Sequence, residues 1–346
     1  MSVFKIADIL SDIFINLETP DLFSCALVSR LWCPIAIRLL WRDPFSGQIR
    51  KHQQCLKIFS LFLDEIQRSA IGISDLYLYS QFNKQIFDYP SFVTTINYGN
   101  LIAAIEPVFF LPLRREFDLS VAKTILEAFL DLFVVKGGVG RMRGIILNST
   151  TRRFRTREYS FFAQPKYESL LKPLTRLELA IRLPKNEILT ILTKYCTRIQ
   201  HFEIWMFDNS PNRIIESAEK LANFIKLQQN LISLKVVNLD NGASYVMHAL
   251  SYQENSLQTL ELVNVNFTEC PPWHELAACH NLQQLKLENI KKITRVMVQP
   301  LLEAEFPRLK VVNYGFLWPQ SQDATLKEWV LSRNEKIYQD TFGISN

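Results

Sequence analysis

Apolar residues recur in a fixed order along the C-terminal half of the chain. "LKVVNL" begins at Leu234, "LELVNV" at Leu260, "LKLENI" at Leu285 and "LKVVNY" at Leu309, at steps of 26, 25 and 24 residues. Three positions before each stands another apolar residue: Leu231, Leu257, Leu282 or Phe306. The unit reads L-x-x-L-x-L/V-x-N-apolar. Alternation of this kind points one row of side chains inward and the next outward. One unit cannot bury its apolar row alone, so a period near 25 residues predicts stacked neighbours in a solenoid. Weaker copies begin at Leu174, Ile199, Met142 and Ile73, with a marginal one at Arg114. Helical patterns fill the intervals at Asn186–Cys196, Asn212–Leu227 and Ala243–Tyr252. A short strand followed by a helix, repeated, predicts parallel strands in a curved α/β stack.

The first 45 residues follow a different period. Helices are expected at Ile6–Leu17, Asp21–Trp32 and Pro34–Trp41. Thr19 followed by Pro20 is a helix start. Pro34 removes an amide donor and clashes with the carbonyl of Arg30, so the helix kinks or restarts there. Arg42–Gly47 ("RDPFSG") reads as a turn and a boundary. The division that follows is a helical unit at 1–45, a linking helix at 46–72, repeats at 73–318 and a capping helix at 319–346. The helical unit is too small to bury all its apolar residues. What remains forms an exposed patch of the kind that marks a partner, with Trp32 and Trp41 as anchors.

Composition narrows the function class. Of 346 residues 48% are hydrophobic and 21% charged, a globular balance. A net charge of +5 is too mild to imply nucleic acid by itself. No apolar run is long enough to span a membrane. Lys5, Asp8 and Asp12 interrupt the N-terminal apolar pattern, which excludes a signal-peptide core. The six cysteines form no CxxC pair and read as reduced, mostly buried thiols of an intracellular protein. The expected location is cytoplasmic, nuclear or both.

Chemistry is sparse. "KGGVGRMRG" (Lys136–Gly144) lacks the Gly-Lys-Ser/Thr ending of a phosphate loop, and glycines at a helix C-terminus explain it better. Cys270, His274, Cys279 and His280 lie close together but not at the paired spacing of a structural zinc site. His52, His201 and His248 are isolated, with no triad partner. The expectation is a binding protein rather than an enzyme, with no cofactor and no metal. "TRRFRTREYSFF" (Thr151–Phe162) interleaves arginines with aromatics. It reads as a solvated loop, as a grip on an acidic or phosphorylated peptide through Arg153 and Arg155, or as a nucleic-acid contact, the last being disfavoured.

Strand parity then selects an outward face. Its central residues on successive strands are Glu178, Glu203, Lys235, Glu261, Lys286 and Lys310, with Trp205 also outward on the second of these strands. The row drifts from acidic toward basic, and an outward tryptophan is a favoured binding hot spot.

The repeats resemble the leucine-rich repeat family from about Ile73 to Trp318. In that family the ladder asparagine falls one position later than Asn238, Asn264, Asn289 and Asn313 do here, so the turn after each strand is expected to differ. The N-terminal stretch resembles an F-box. Asp8-Ile9-Leu10, Ile13-Phe14, Asp21-Leu22, Val28-Ser29-Arg30-Leu31-Trp32 and Leu40-Trp41 match that family's order and spacing, while Lys5-Ile6 stand where it opens with Leu-Pro. The resemblance implies that Ile9, Leu10, Ile13, Phe14, Leu17, Leu22, Val28, Trp32, Leu40 and Trp41 bind the Skp adaptor. Through it the chain would join a cullin–RING (SCF) ubiquitin ligase, and the repeats would hold a protein substrate. The other reading is a repeat scaffold that recruits no ubiquitin machinery.

Overall fold

The computed structural model describes residues 3–71, 86–110, 119–137, 141–148, 161–181, 187–207, 211–315, 326 and 328–335. The chain divides into two compact units, Met1–Arg155 and Thr156–Asn346. The expected repeat copies at Ile73 and Arg114 lie outside the described residues.

The first unit opens with helices α1 (Val3–Phe14), α2 (Thr19–Val28) and α3 (Trp32–Leu40). The break between α2 and α3 comes before Pro34, not at it. Ser29 is extended, and its hydroxyl accepts from the Trp32 amide at 3.2 Å, while its carbonyl accepts from the Cys33 amide at 3.0 Å. Pro34 therefore sits in the first turn of α3, where its missing N–H leaves no bond unmade. Phe14, Leu22 and Ala36 form the core, ringed by Leu10, Leu17, Trp32, Ile35, Leu39 and Leu40.

The stretch expected as one linking helix holds two, α4 (Ile49–Ser60) and α5 (Glu65–Ala70). The side chain of Asp64 accepts from the Gln67 amide and that of Gln67 from the Asp64 amide, a reciprocal cap that starts α5 afresh. Strand β1 (Thr95–Asn97), helix α6 (Tyr98–Ile105), helix α7 (Leu119–Gly137) and strand β2 (Gly144–Asn148) follow in the same unit. β1 pairs in parallel with β2. The Arg42–Gly47 turn is anchored: Phe45 is fully buried against Phe59 and Phe133, and the Arg42 carbonyl accepts from the Thr94 and Thr95 amides.

In the second unit, short helix α8 (Glu168–Leu171) precedes six parallel strands: β3 (Arg176–Ile181), β4 (His201–Met206), β5 (Ser233–Leu239), β6 (Thr259–Val265), β7 (Gln284–Glu288) and β8 (Val311–Gly315). Between them lie α9 (Glu187–Tyr195), α10 (Pro211–Lys226), α11 (Ala243–Ala249), α12 (His274–Ala277) and α13 (Arg295–Glu303). Of the expected capping helix, residues 326 and 328–335 are helical and the rest lies outside the described residues.

Leu177, Phe202, Leu234, Leu260 and Leu285 stand side by side on the core face. The next in the row is Val312, not Leu309. The expected register of the last copy is therefore corrected by three residues. The cause is visible in the sequence: Phe306, Leu309 and Val312 are spaced three apart, so an L-x-x-L pattern slides onto itself at this end. Leu309 remains buried.

Asn238, Asn264 and Asn289 adopt left-handed φ values of +60°, +55° and +50°. Asparagine tolerates that region better than other non-glycine residues. The left-handed residue lets the pairing resume at Leu239↔Val265 with both side chains buried. The amides form a ladder, Asn289 Nδ2 to Asn264 Oδ1 at 2.8 Å and Asn264 Nδ2 to Asn238 Oδ1 at 2.7 Å.

Two buried glutamines tie layer to layer behind the sheet. Gln228 Nε2 donates to the Cys196 and Phe224 carbonyls, and its Oε1 accepts from the Ile199 amide. Gln253 Nε2 donates to the Ile225 and Gln228 carbonyls, and its Oε1 accepts from the Leu231 amide. Buried amides are tolerated because every polar atom named here is paired.

Candidate protein-interaction surfaces

Helices α1 and α2 each carry two apolar faces. Phe14, 1% exposed, meets Trp32 edge-on with ring centroids 5.0 Å apart. Phe14 and Leu22, expected at the adaptor contact, both pack in the core of the helical unit. Leu10, Leu17, Trp32 and Leu40 are partly buried against that core. Trp41 packs on Tyr89 at 4.3 Å and Phe59 at 5.4 Å, within its own unit.

The free apolar surface falls on other residues. Ile9 and Ile13 are one turn apart on α1, and Phe23 and Leu27 one turn apart on α2, Leu27 being 76% exposed. Val28 and Ile15 are exposed as well. Of the expected contact residues, Ile9, Ile13 and Val28 are on this surface. Phe23, Leu27 and Ile15 were not among them; the signal that could have found Phe23 and Leu27 is that core residue Leu22 leaves these positions of α2 on the outer side, while Ile15 lies in the turn after α1.

The second surface is the side of the β3–β8 sheet opposite its leucine row. Register sets three rows across it. The first is Arg176, His201, Ser233, Thr259, Gln284 and Val311. The second is Glu178, Glu203, Lys235, Glu261, Lys286 and Asn313. The third is Ala180, Trp205, Val237, Val263, Glu288 and Gly315. Lys310 is corrected out of the central row by the three-residue shift; Asn313 takes its place, and Lys310 precedes β8. Arg153 and Arg155 lie outside the described residues.

Charges on this face are specifically arranged. Lys235 Nζ lies 2.8 Å from Glu203 Oε1 and 5.4 Å from the centroid of the Trp205 ring. Trp205 Nε1 donates to the same carboxylate at 2.6 Å. Phe207, exposed, stacks on Trp205 at 6.3 Å and 19°. Lys286 pairs with Glu288 at 2.8 Å, and that bond holds its ammonium above the ordinary value. Glu178 and Glu261 have neither hydrogen bond nor ion pair among the described residues. Burial pushes the Glu178 carboxyl up, Glu203 beside it adds to the shift, and Arg176 and Lys235 oppose it. His201 is pushed down by burial and by Arg176.

Elsewhere the polar chemistry is structural. Burial pushes the Cys55 and Cys270 thiols up to about 11 and those of Cys196 and Cys279 up to about 12. Among the described residues no three His, Cys, Asp or Glu side chains are grouped to hold a metal ion. None of the described helices is long and apolar enough to cross a membrane.

No curated protein matches the chain. Residues 7–46 match the family model described as F-box-like, the stretch that folds as α1–α3 with its apolar exterior. The chain thus carries an F-box-like domain at residues 7–46.

Proposed function

We propose that the chain is the substrate-recognition subunit of an SCF-type E3 ubiquitin ligase. The observation that carries this reading is the exposed apolar exterior of an F-box-like domain, at Ile9, Ile13, Phe23, Leu27 and Val28. F-box domains generally bind Skp-type adaptors, and an apolar patch left exposed among the described residues suits that role. The chain would bridge the adaptor and its cullin–RING core to a protein substrate. The second unit is read as leucine-rich repeats, supported by the period, the in-register leucine row and the asparagine ladder. Its open sheet face is the proposed substrate platform. No catalytic role is proposed, and the ubiquitin-transfer chemistry belongs to the ligase partners. Action in the cytoplasm, the nucleus or both goes with this role.

Co-purification with the Skp adaptor tests the reading. The full chain should retain the adaptor, and Leu27→Glu with Ile13→Glu should release it, because both side chains are exposed and their charges would be buried on binding. Failure of the unaltered chain to retain the adaptor would leave a repeat scaffold without ligase recruitment, the reading that Lys5-Ile6 in place of Leu-Pro favours.

A further inference from the structure

Both lysines in the second and third rows of the sheet face are already committed. Lys235 is held by Glu203 and Lys286 by Glu288. Of the four carboxylates in those rows, Glu178 and Glu261 have no such cation among the described residues. Glu178 also stands directly opposite Glu203 across the β3–β4 pair, an arrangement that costs stability. The rows therefore lack cations, and they lack them at two fixed places. An anionic ligand would find every lysine there occupied.

The two places have a defined separation. Glu178 and Glu261 belong to one row, three strands apart. At about 4.8 Å per strand that is roughly 14 Å. An extended chain advances about 3.3–3.6 Å per residue, so about four residues cover the distance. In such a chain residues i, i+2 and i+4 project to the same side. Between the two carboxylates, one row along, lie Trp205 and Val237, with Phe207 stacked on Trp205. Phe207 is 44% exposed, an aromatic ring left in water beside another.

We propose that this face takes an extended protein segment of the form basic-x-apolar-x-basic, with the cations at Glu178 and Glu261 and the apolar side chain on Trp205 and Phe207. The proposal rests on the reading of this face as the substrate platform and names the chemistry of what it holds. Each cation meets a carboxylate that makes no hydrogen bond or ion pair among the described residues, which makes the contact specific in position as well as in sign. The apolar group covers the exposed Phe207 ring and the part-exposed Trp205 beside it, and tryptophan is the residue type most enriched among binding hot spots.

The test is a fluorescence-anisotropy titration of the full chain against labelled Gly-Arg-Gly-Leu-Gly-Arg-Gly. Two companion peptides carry Glu in place of both Arg, or Gly in place of Leu. The expected result is saturable binding of the first peptide and weakening by about tenfold or more with either companion. Glu178→Gln with Glu261→Gln, which keeps shape and removes charge, should weaken the first peptide to the same degree. Trp205→Ala should do likewise, and Trp205→Phe should recover part of the loss, which separates ring contact from misfolding. Absence of saturable binding, or binding unchanged in the Gln double variant, overturns the proposal. So does equal binding of the peptide without Leu. Adaptor capture is measured on the same preparations: its loss with peptide binding intact overturns the ligase reading alone, and its presence without peptide binding overturns this inference alone.

Discussion

Asn264 donates its side-chain amide to Asn238 Oδ1 at 2.7 Å and accepts from Asn289 on its other side. The middle residue of the ladder thus holds two bonds and a left-handed backbone at once. Asn264→Ala should lose both bonds and strain the backbone, costing about 2–4 kcal/mol. Asn264→Gly loses the bonds but not the conformation and should cost less. Denaturant melts of the two variants check the order; equal losses would mean that the left-handed φ contributes nothing.

Glu178 offers a pH signature. Its carboxyl is held above the ordinary value, so the folded state binds the proton more tightly than the unfolded chain. The stability this group contributes is present below the usual glutamate range and lost as pH rises through the raised value. Glu178→Gln removes that loss. The variant should melt higher than the parent at neutral pH, and the two should converge below about pH 4. A variant that melts lower at neutral pH would show that Arg176 and Lys235 outweigh burial.

His52 works in the opposite sense. It is fully buried in the first unit, 6.2 Å from the Phe45 ring. Burial lowers its pKa from 6.5, the Ser46 backbone opposes the shift, and Lys51 adds to it. A depressed histidine stabilises the fold above its unfolded value, and that contribution is lost as pH falls below it. The first unit should therefore soften between neutral pH and about pH 5. His52→Leu should flatten this dependence in a melt followed by fluorescence of the first unit's tryptophans.

Phe14 and Leu27 separate core from surface within one domain. Phe14→Ala empties a buried site and should cost about 3–5 kcal/mol. Leu27→Ala alters an exposed position and should change stability by no more than about 0.5 kcal/mol. The same Leu27 variant should weaken adaptor retention. Normal retention with normal melting would remove Leu27 from the contact.

The parallel strands of the second unit were legible because alternation and a period near 25 residues act together. Leu234, Leu260 and Leu285 are aligned as their hexamers imply. The last strand was not, because Phe306, Leu309 and Val312 offer the same spacing at two registers and only pairing with β7 chooses between them. β1 is only three residues long and showed no period. In the helical unit the families of residues were legible but not their sides. An apolar position facing Phe14 and one facing solvent look alike in sequence, and the difference arises only when α3 packs against α1 and α2.

The buried glutamines give the second unit a direction. Gln253 satisfies the Ile225 and Gln228 carbonyls of the layer before it and the Leu231 amide at the start of its own, and Gln228 likewise reaches back to the Cys196 carbonyl. These two layers therefore each close backbone hydrogen bonds of the one before. A cut just before Gln253 would strand Ile225, Gln228 and Leu231 in a dry interior, whereas a cut after its layer would strand none of them. Shortening from the C-terminal side should thus succeed after the Gln253 layer and fail just before Gln253, even though both truncations keep the strand leucines through Leu234.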